Sequence, residues 1–325
     1  MGAVRGEGGG RGGGAGVGTG SDREAGTAPA HEAAHAFEFG AAPRDDALTY
    51  PGAIPPGSFL FTGDAIEWID EGAERDGLRD RLAALGVASM DERHAVLAYG
   101  SNRSPAQLRA KFAGSAVSPV VPVLRGRVSG LSVVYSCHIT RYGSVPATLV
   151  VEPGADTEVA VTFLDDAQRS VIDGTEPVHE QPVVDGDQHP LRLVGGALVA
   201  SYRCYRSTRA VLALDGRPVR LAEILSVGSG LSSRAQAEMQ AVLLGLWSRR
   251  IRTFDDPRSF ITAVRADPGL LVEVDRCLAA LVDDPDPVVG AVAPNGFGLW
   301  PEAEDPASGA RDRVRDEQQA PDQVG

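Results

Sequence analysis

Lysine is nearly missing from this 325-residue chain: its 31 lysines and arginines include one lysine, Lys111. That skew fits a compositional bias toward arginine, and no phosphate-binding partner is drawn from it. Positive charge is short overall, with a formal net charge of −13, so the chain lacks the positive footprint that general affinity for nucleic acid or anionic membranes requires. Cysteine is scarce as well. Cys137, Cys204 and Cys277 are odd in number and widely spaced, which makes neither a disulfide framework nor a metal-binding motif and predicts reduced, buried thiols. No apolar run reaches the roughly 20 residues of a spanning helix, and the first residues lack the apolar stretch of a secretory signal. A cytoplasmic location is the expectation that follows.

Large apolar side chains are missing from the two ends. Residues 1–36 are dominated by Gly and Ala, a composition that cannot bury enough surface to offset its ordering entropy, and they are predicted to be a disordered tail. Gly14, Gly16, Gly18 and Gly20 superficially resemble a dinucleotide-binding loop, but no strand precedes them and no helix follows. Residues 283–325 are again rich in Pro, Asp, Glu, Gln and Arg and are predicted to be a disordered acidic tail, with Trp300 as an anchor. Between the ends, 43% hydrophobic residues supply a sizeable core. Residues 37–94, with Tyr50, Phe59, Leu60, Phe61, Ile66 and Trp68, are read as an extension packing on a main domain over 95–254, followed by short helices over 255–282.

Periodicity gives the elements. Leu78, Leu82 and Leu85 share a helical face before Gly86, a C-cap candidate. His94 to Tyr99 reads as a strand running into Gly100-Ser101-Asn102 and then a helix start, with Ser104 as cap, Pro105 at the first helical position, and Gln107 completing a capping box. Strands are predicted at 127–136, 147–151 and 158–163, the last two joined by a turn at Pro153-Gly154-Ala155-Asp156. Asp165 caps a short helix ending at Gly174, and strands follow at 191–194 and 197–205. Asp215-Gly216 marks a hairpin between 211–214 and 218–221, and helices are predicted at 234–251, 259–266 and 270–282. Strands in the middle and helices at the ends predict an α+β fold rather than a doubly wound α/β sheet.

Three features in order carry a resemblance: Tyr99-Gly100-Ser101-Asn102 after the strand 95–98, Pro146-Ala147-Thr148-Leu149, and Ile172-Asp173-Gly174-Thr175-Glu176. Together with the strand at 159–163, they resemble the YGSN loop, the following strand and the LDxxE segment of the gamma-glutamyl cyclotransferase-like family. The resemblance implies a small mixed or antiparallel β-barrel with flanking helices, no metal and no organic cofactor. It implies a small-molecule gamma-glutamyl substrate, held by the loop Tyr99, Gly100, Ser101 and Asn102, with Glu176 moving protons. The reaction implied is attack of the substrate's α-amine on its γ-carbonyl, releasing 5-oxoproline and an amine or amino acid.

The residues support these roles on physical grounds. A glycine lets backbone N–H groups converge, and the helix that follows offers partial positive charge to a carboxylate. Ring closure is intramolecular, so one positioned carboxylate suffices as base, supplying about 10² to 10⁴ in rate, with burial expected to raise its pKa toward neutrality. The chain departs from the family pattern at Arg103, where Leu is common, and at Pro177-Val178-His179 after the glutamate. Arg103 either contacts a second carboxylate or faces solvent, and His179 is either a substrate partner or a loop residue. Cys137 and His138 point to opposite faces of a strand and so do not pair as nucleophile and base. Two rivals stay open: a non-catalytic barrel binding a small metabolite or partner protein, and an amidase using Ser101, which would need a histidine within hydrogen-bond reach.

Overall fold

The computed structural model of the chain describes residues 37–70, 76–293 and 314–315. The tail expected over 1–36, its glycine cluster and Trp300 lie outside the described residues. Among them the fold is α+β, with a mixed sheet and six α-helices: α1 (Asp76–Ala84), α2 (Pro105–Phe112), α3 (Asp166–Asp173), α4 (Gln236–Arg250), α5 (Pro257–Ala266) and α6 (Pro268–Ala280). None of these helices is long and apolar enough to cross a membrane.

The sheet is built around two long antiparallel strands, Val121–Tyr135 and Ala147–Leu164. The turn predicted at Pro153–Asp156 does not exist, because the second strand runs straight through it. Gly130 (φ 77°) and Gly154 (φ 88°) adopt a conformation open to glycine, and the register shifts between Ser129 and Leu131. The pair of glycines is therefore a bulge that bends the ribbon, a local signal easily read as a turn. His94–Ala98 pairs antiparallel with Ala147–Leu164 and parallel with Ser201–Cys204.

The expected barrel is corrected to an open, curled sheet. Leu198–Val199 pairs with Leu191–Leu193, and after Ala200 the same run continues as Ser201–Cys204 beside His94–Ala98. The two sides of the sheet are thus joined by a bend in one strand, not by a closed ladder. Alternation along 94–99 fills both faces, with Ala95, Leu97 and Tyr99 in the main core and Val96 and Ala98 in a second core under α2 and α3.

The segment 37–94 is woven into the sheet. Phe59–Phe61 pairs with Val121–Val123 and with Ile66–Trp68, a hairpin that the sequence reading did not contain. The far boundary also shifts. Val289–Val292, inside the stretch assigned to the acidic tail, pairs antiparallel with Val211–Leu214, and Asp286 is bound through both carboxylate oxygens by Arg249 at 2.7 Å. The Asp215-Gly216 hairpin stands as predicted, both residues at positive φ (51° and 72°).

Candidate functional site

The strand His94–Ala98 delivers Tyr99 to the core and turns at Gly100 into a short 3-10 segment, Ser101–Arg103, before α2. Gly100 has a φ of −110°, outside the left-handed region. Space demands the glycine: a Cβ there would lie 2.6 Å from the Tyr50 hydroxyl. That hydroxyl accepts the Ala147 N–H at 3.0 Å. Tyr50, from the segment ahead of the main domain, is thereby fixed against the loop. Ser104 makes no side-chain cap on α2, and its buried hydroxyl has no partner, so the expected capping box is not formed.

At the other end of the site, Asp165 caps α3 by accepting from Gln168 N at 2.8 Å, and the helix stops at Gly174. Two turns then carry the chain through Glu176 to His179, with Glu176 N donating to Asp173 O and His179 N to Glu176 O. Tyr99 donates to Tyr205 O, and the Tyr205 hydroxyl donates to Asp173 Oδ1 at 2.6 Å, tying the end of α3 to the start of the loop.

These two segments face one cavity of about 830 Å³, lined by Tyr99, Gly100, Ser101, Asn102, Glu176 and His179 among others. Asn102 Nδ2 donates to Glu176 Oε1 at 3.1 Å, across 74 residues of sequence. The same oxygen receives Lys111 Nζ at 2.6 Å, and His179 Nδ1 lies 3.2 Å from Oε2 without hydrogen-bond alignment. The Lys111 and Glu176 side chains are 6% and 17% exposed. Asn102 Oδ1 and Gln107 Oε1 are buried with no partner, and both residues line the cavity. This end of the cavity therefore presents unpartnered oxygen acceptors beside Glu176.

The electrostatics overturn one expectation. Burial pushes the Glu176 carboxyl up, but Lys111, His179 and the hydrogen bonds from Lys111 and Asn102 outweigh it, and the net shift is downward. Glu176 is held as a carboxylate rather than poised near neutrality. His179 is shifted down, first by burial and then by Lys111, against the pull of Glu176. Tyr142 lines the cavity with its phenol pushed up to about 12 by burial and by Glu176.

Arg103 does not join the site. It is 3% exposed, its Nη1 reaches only Glu158 O at 3.4 Å, its Nε is unpartnered, and burial brings it down to about 10. It does not face solvent, one of the two roles read from sequence, and it is not among the residues that line the cavity. Cys137 is a core thiol as expected, donating to Leu278 O at 3.4 Å and pushed up to about 12 by burial. His138 faces the cavity and hydrogen-bonds Ser136 Oγ at 2.9 Å through Nδ1. Among the described residues no hydrogen bond joins Ser101 to a histidine, so the geometry an amidase needs is not formed.

Lys111, Gln107, Tyr142 and Tyr50 were not singled out as site residues from the sequence. Lys111 carried a signal, as the one lysine in an arginine-rich chain and four residues from Gln107 on α2, one step around from the core pair Leu108 and Phe112. Tyr142 and Tyr50 carried none.

No family model and no curated protein matches the chain. Among solved structures, one described as a gamma-glutamyl cyclotransferase is similar with a TM-score of 0.29 and 17% identity, over 36% of this chain and 68% of its own. An ensemble-refined crystal structure of an uncharacterized protein from Homo sapiens is similar with a TM-score of 0.29 and 13% identity, over 57% of this chain and 99% of its own. Likenesses at this level carry no argument about the site, which is read here from its own geometry.

Proposed function

We propose that the chain is a gamma-glutamyl cyclotransferase-like enzyme acting at the Glu176 cavity. The observation that carries this reading is the meeting of the loop Tyr99–Asn102 with Glu176, 74 residues away, through the Asn102–Glu176 hydrogen bond. In the proposed reaction the neutral α-amine of a gamma-glutamyl compound attacks its own γ-carbonyl carbon. The bond to the leaving nitrogen breaks, and the products are 5-oxoproline and the free amine. One proton passes from the attacking to the leaving nitrogen, and Glu176 carries it.

A carboxylate with a depressed pKa suits this task if its proton is taken late. The attacking nitrogen becomes strongly acidic only once it has bonded to carbon, so even a weak base accepts from it, and a weak base then releases the proton readily to the leaving amine. Before reaction, the Glu176 carboxylate together with the unpartnered Asn102 Oδ1 and Gln107 Oε1 offers a seat for the substrate's amino group. Positioning supplies the rest, since ring closure needs only a folded substrate.

One observation favours a second reading. The ion pair with Lys111 satisfies Glu176 without any ligand, as a non-catalytic pocket for an amine-bearing metabolite would also allow. Incubation with gamma-glutamyl amides and dipeptides, followed by mass detection of 5-oxoproline, separates the two: release supports the enzyme, and binding without release supports the pocket.

A further inference from the structure

The glutamyl head accounts for one end of the cavity only. A volume of about 830 Å³ is in the range of sites that hold a drug-sized ligand. Another part of the lining is built by α5, α6 and the segment carrying Ile139, where Ile139, Val264, Pro268, Leu271 and Val272 line the space. Helix α6 presents two stripes. Leu270, Val274 and Leu278 are buried in the main core, while Pro268, Leu271 and Val272 lie one step around the helix and face the cavity. Val272 is 56% exposed, a large apolar side chain with no packing role of its own.

Charged groups share this wall. Arg265 spends all three guanidinium nitrogens on backbone carbonyls, Nε on Tyr142 O, Nη1 on Asp45 O and Nη2 on Arg44 O. Asp275 Oδ2 lies 3.9 Å from Arg209, and its buried Oδ1 has no hydrogen-bond partner. Arg141 stands exposed at the edge of the cavity. Beside these polar groups, Ile139, Val264, Pro268, Leu271 and Val272 present hydrocarbon, which rewards an apolar ligand group.

We infer that the α5–α6 wall is a leaving-group subsite, so that this chain selects gamma-glutamyl compounds whose amine portion is apolar and of leucine size or larger. The inference rests on the cyclotransferase reading for the orientation of the ligand, and its test does not depend on turnover. N-glutaryl amino acids keep the carboxylate and the scissile amide but lack the α-amine, so they cannot cyclise. Calorimetry should give N-glutaryl-leucine at least about tenfold tighter binding than N-glutaryl-glycine, the discrimination an apolar pocket typically provides. Val272→Asp, at an exposed position, should bring that ratio close to one, and Leu271→Ala should lower it in the same direction. If neither amine-free probe binds, the same ratio is read with gamma-glutamyl-leucine and gamma-glutamyl-glycine on Glu176→Gln. Equal affinities, or a ratio unmoved in both wall variants, would overturn the subsite. Preserved leucine preference without 5-oxoproline release from gamma-glutamyl-leucine would leave the subsite standing and remove the enzyme.

Discussion

At the scale of the residue, Glu176 and Lys111 set the character of the site. Both are buried, and a buried pair depends on each partner far more than an exposed one, since removing either leaves an uncompensated charge. Replacing Lys111 by Met removes the main opposing cause and leaves burial to act, so the Glu176 pKa should rise. The acid limb of the kcat/KM profile, expected below the ordinary carboxylate range in the wild-type protein, should then move upward in Lys111→Met. An unmoved limb would show that Lys111 does not govern the carboxylate. His138 gives a second pH effect, on stability. Burial, then His179 and Arg209, pulls its pKa down to about 3, while the unfolded chain takes up the proton near 6.5, the ordinary histidine value. The contribution is therefore fully present above about pH 6.5 and lost as pH falls from there toward 3, by about 1.4 kcal/mol per unit. Between pH 7 and 5 the wild-type protein should lose about 2 kcal/mol more unfolding free energy than His138→Gln, and equal losses would contradict a buried neutral imidazole. The identity of the carboxylate was legible in the sequence because it sits in a patterned segment. Its ionisation was not, because Lys111 and His179 act on it through space. Arg103, adjacent to the loop, looked like a site residue for its position alone, and a backbone turn buried it.

At the scale of the element, the loop after His94–Ala98 shows how a correct motif can have an unforeseen cause. The glycine was expected for backbone freedom, yet the structure requires it for the missing Cβ against Tyr50. Gly100→Ala should destabilise by about 1–3 kcal/mol through overpacking, and Tyr50→Phe by about 1–3 kcal/mol through the orphaned Ala147 N–H. Because removal of the hydroxyl relieves the clash, the double variant should lose clearly less than the sum in denaturant unfolding. Full additivity would mean that the two residues do not touch. Strands and helices with a period of their own, such as 94–98, α3 and α4, were readable in advance. The Gly130–Gly154 bulge was not, since a bulge and a turn share the same local residues and differ only in what lies across the ladder. The strand Val289–Val292 was hidden for the same reason. Four small apolar residues in an acidic stretch become a strand only because Val211–Leu214 is there to pair with them. Deletion from Asp283 onward should therefore lower the thermal midpoint, through loss of that strand and of the Arg249–Asp286 contact. An unchanged midpoint would return the boundary to 283.

At the scale of the whole molecule, the cavity is assembled from parts far apart in the chain: Tyr50 from the segment ahead of the main domain, the loop and α2, the end of α3, and the α5–α6 wall. The α+β class was accessible from the order of elements, and the open sheet in place of a barrel was not, because closure depends on how the run 198–204 bends at Ala200. The convergence of Asn102 and Glu176 is the feature on which the functional reading stands. Its most direct test compares 5-oxoproline release, ligand affinity and thermal midpoint for the wild-type protein and Glu176→Gln, with a gamma-glutamyl amide as substrate. Release from the wild-type protein, reduced by about 10² or more in the variant with affinity little changed, is expected if the carboxylate carries the proton. Turnover that is unchanged in a well-folded Glu176→Gln variant, or that falls only in step with its melting temperature, would contradict it.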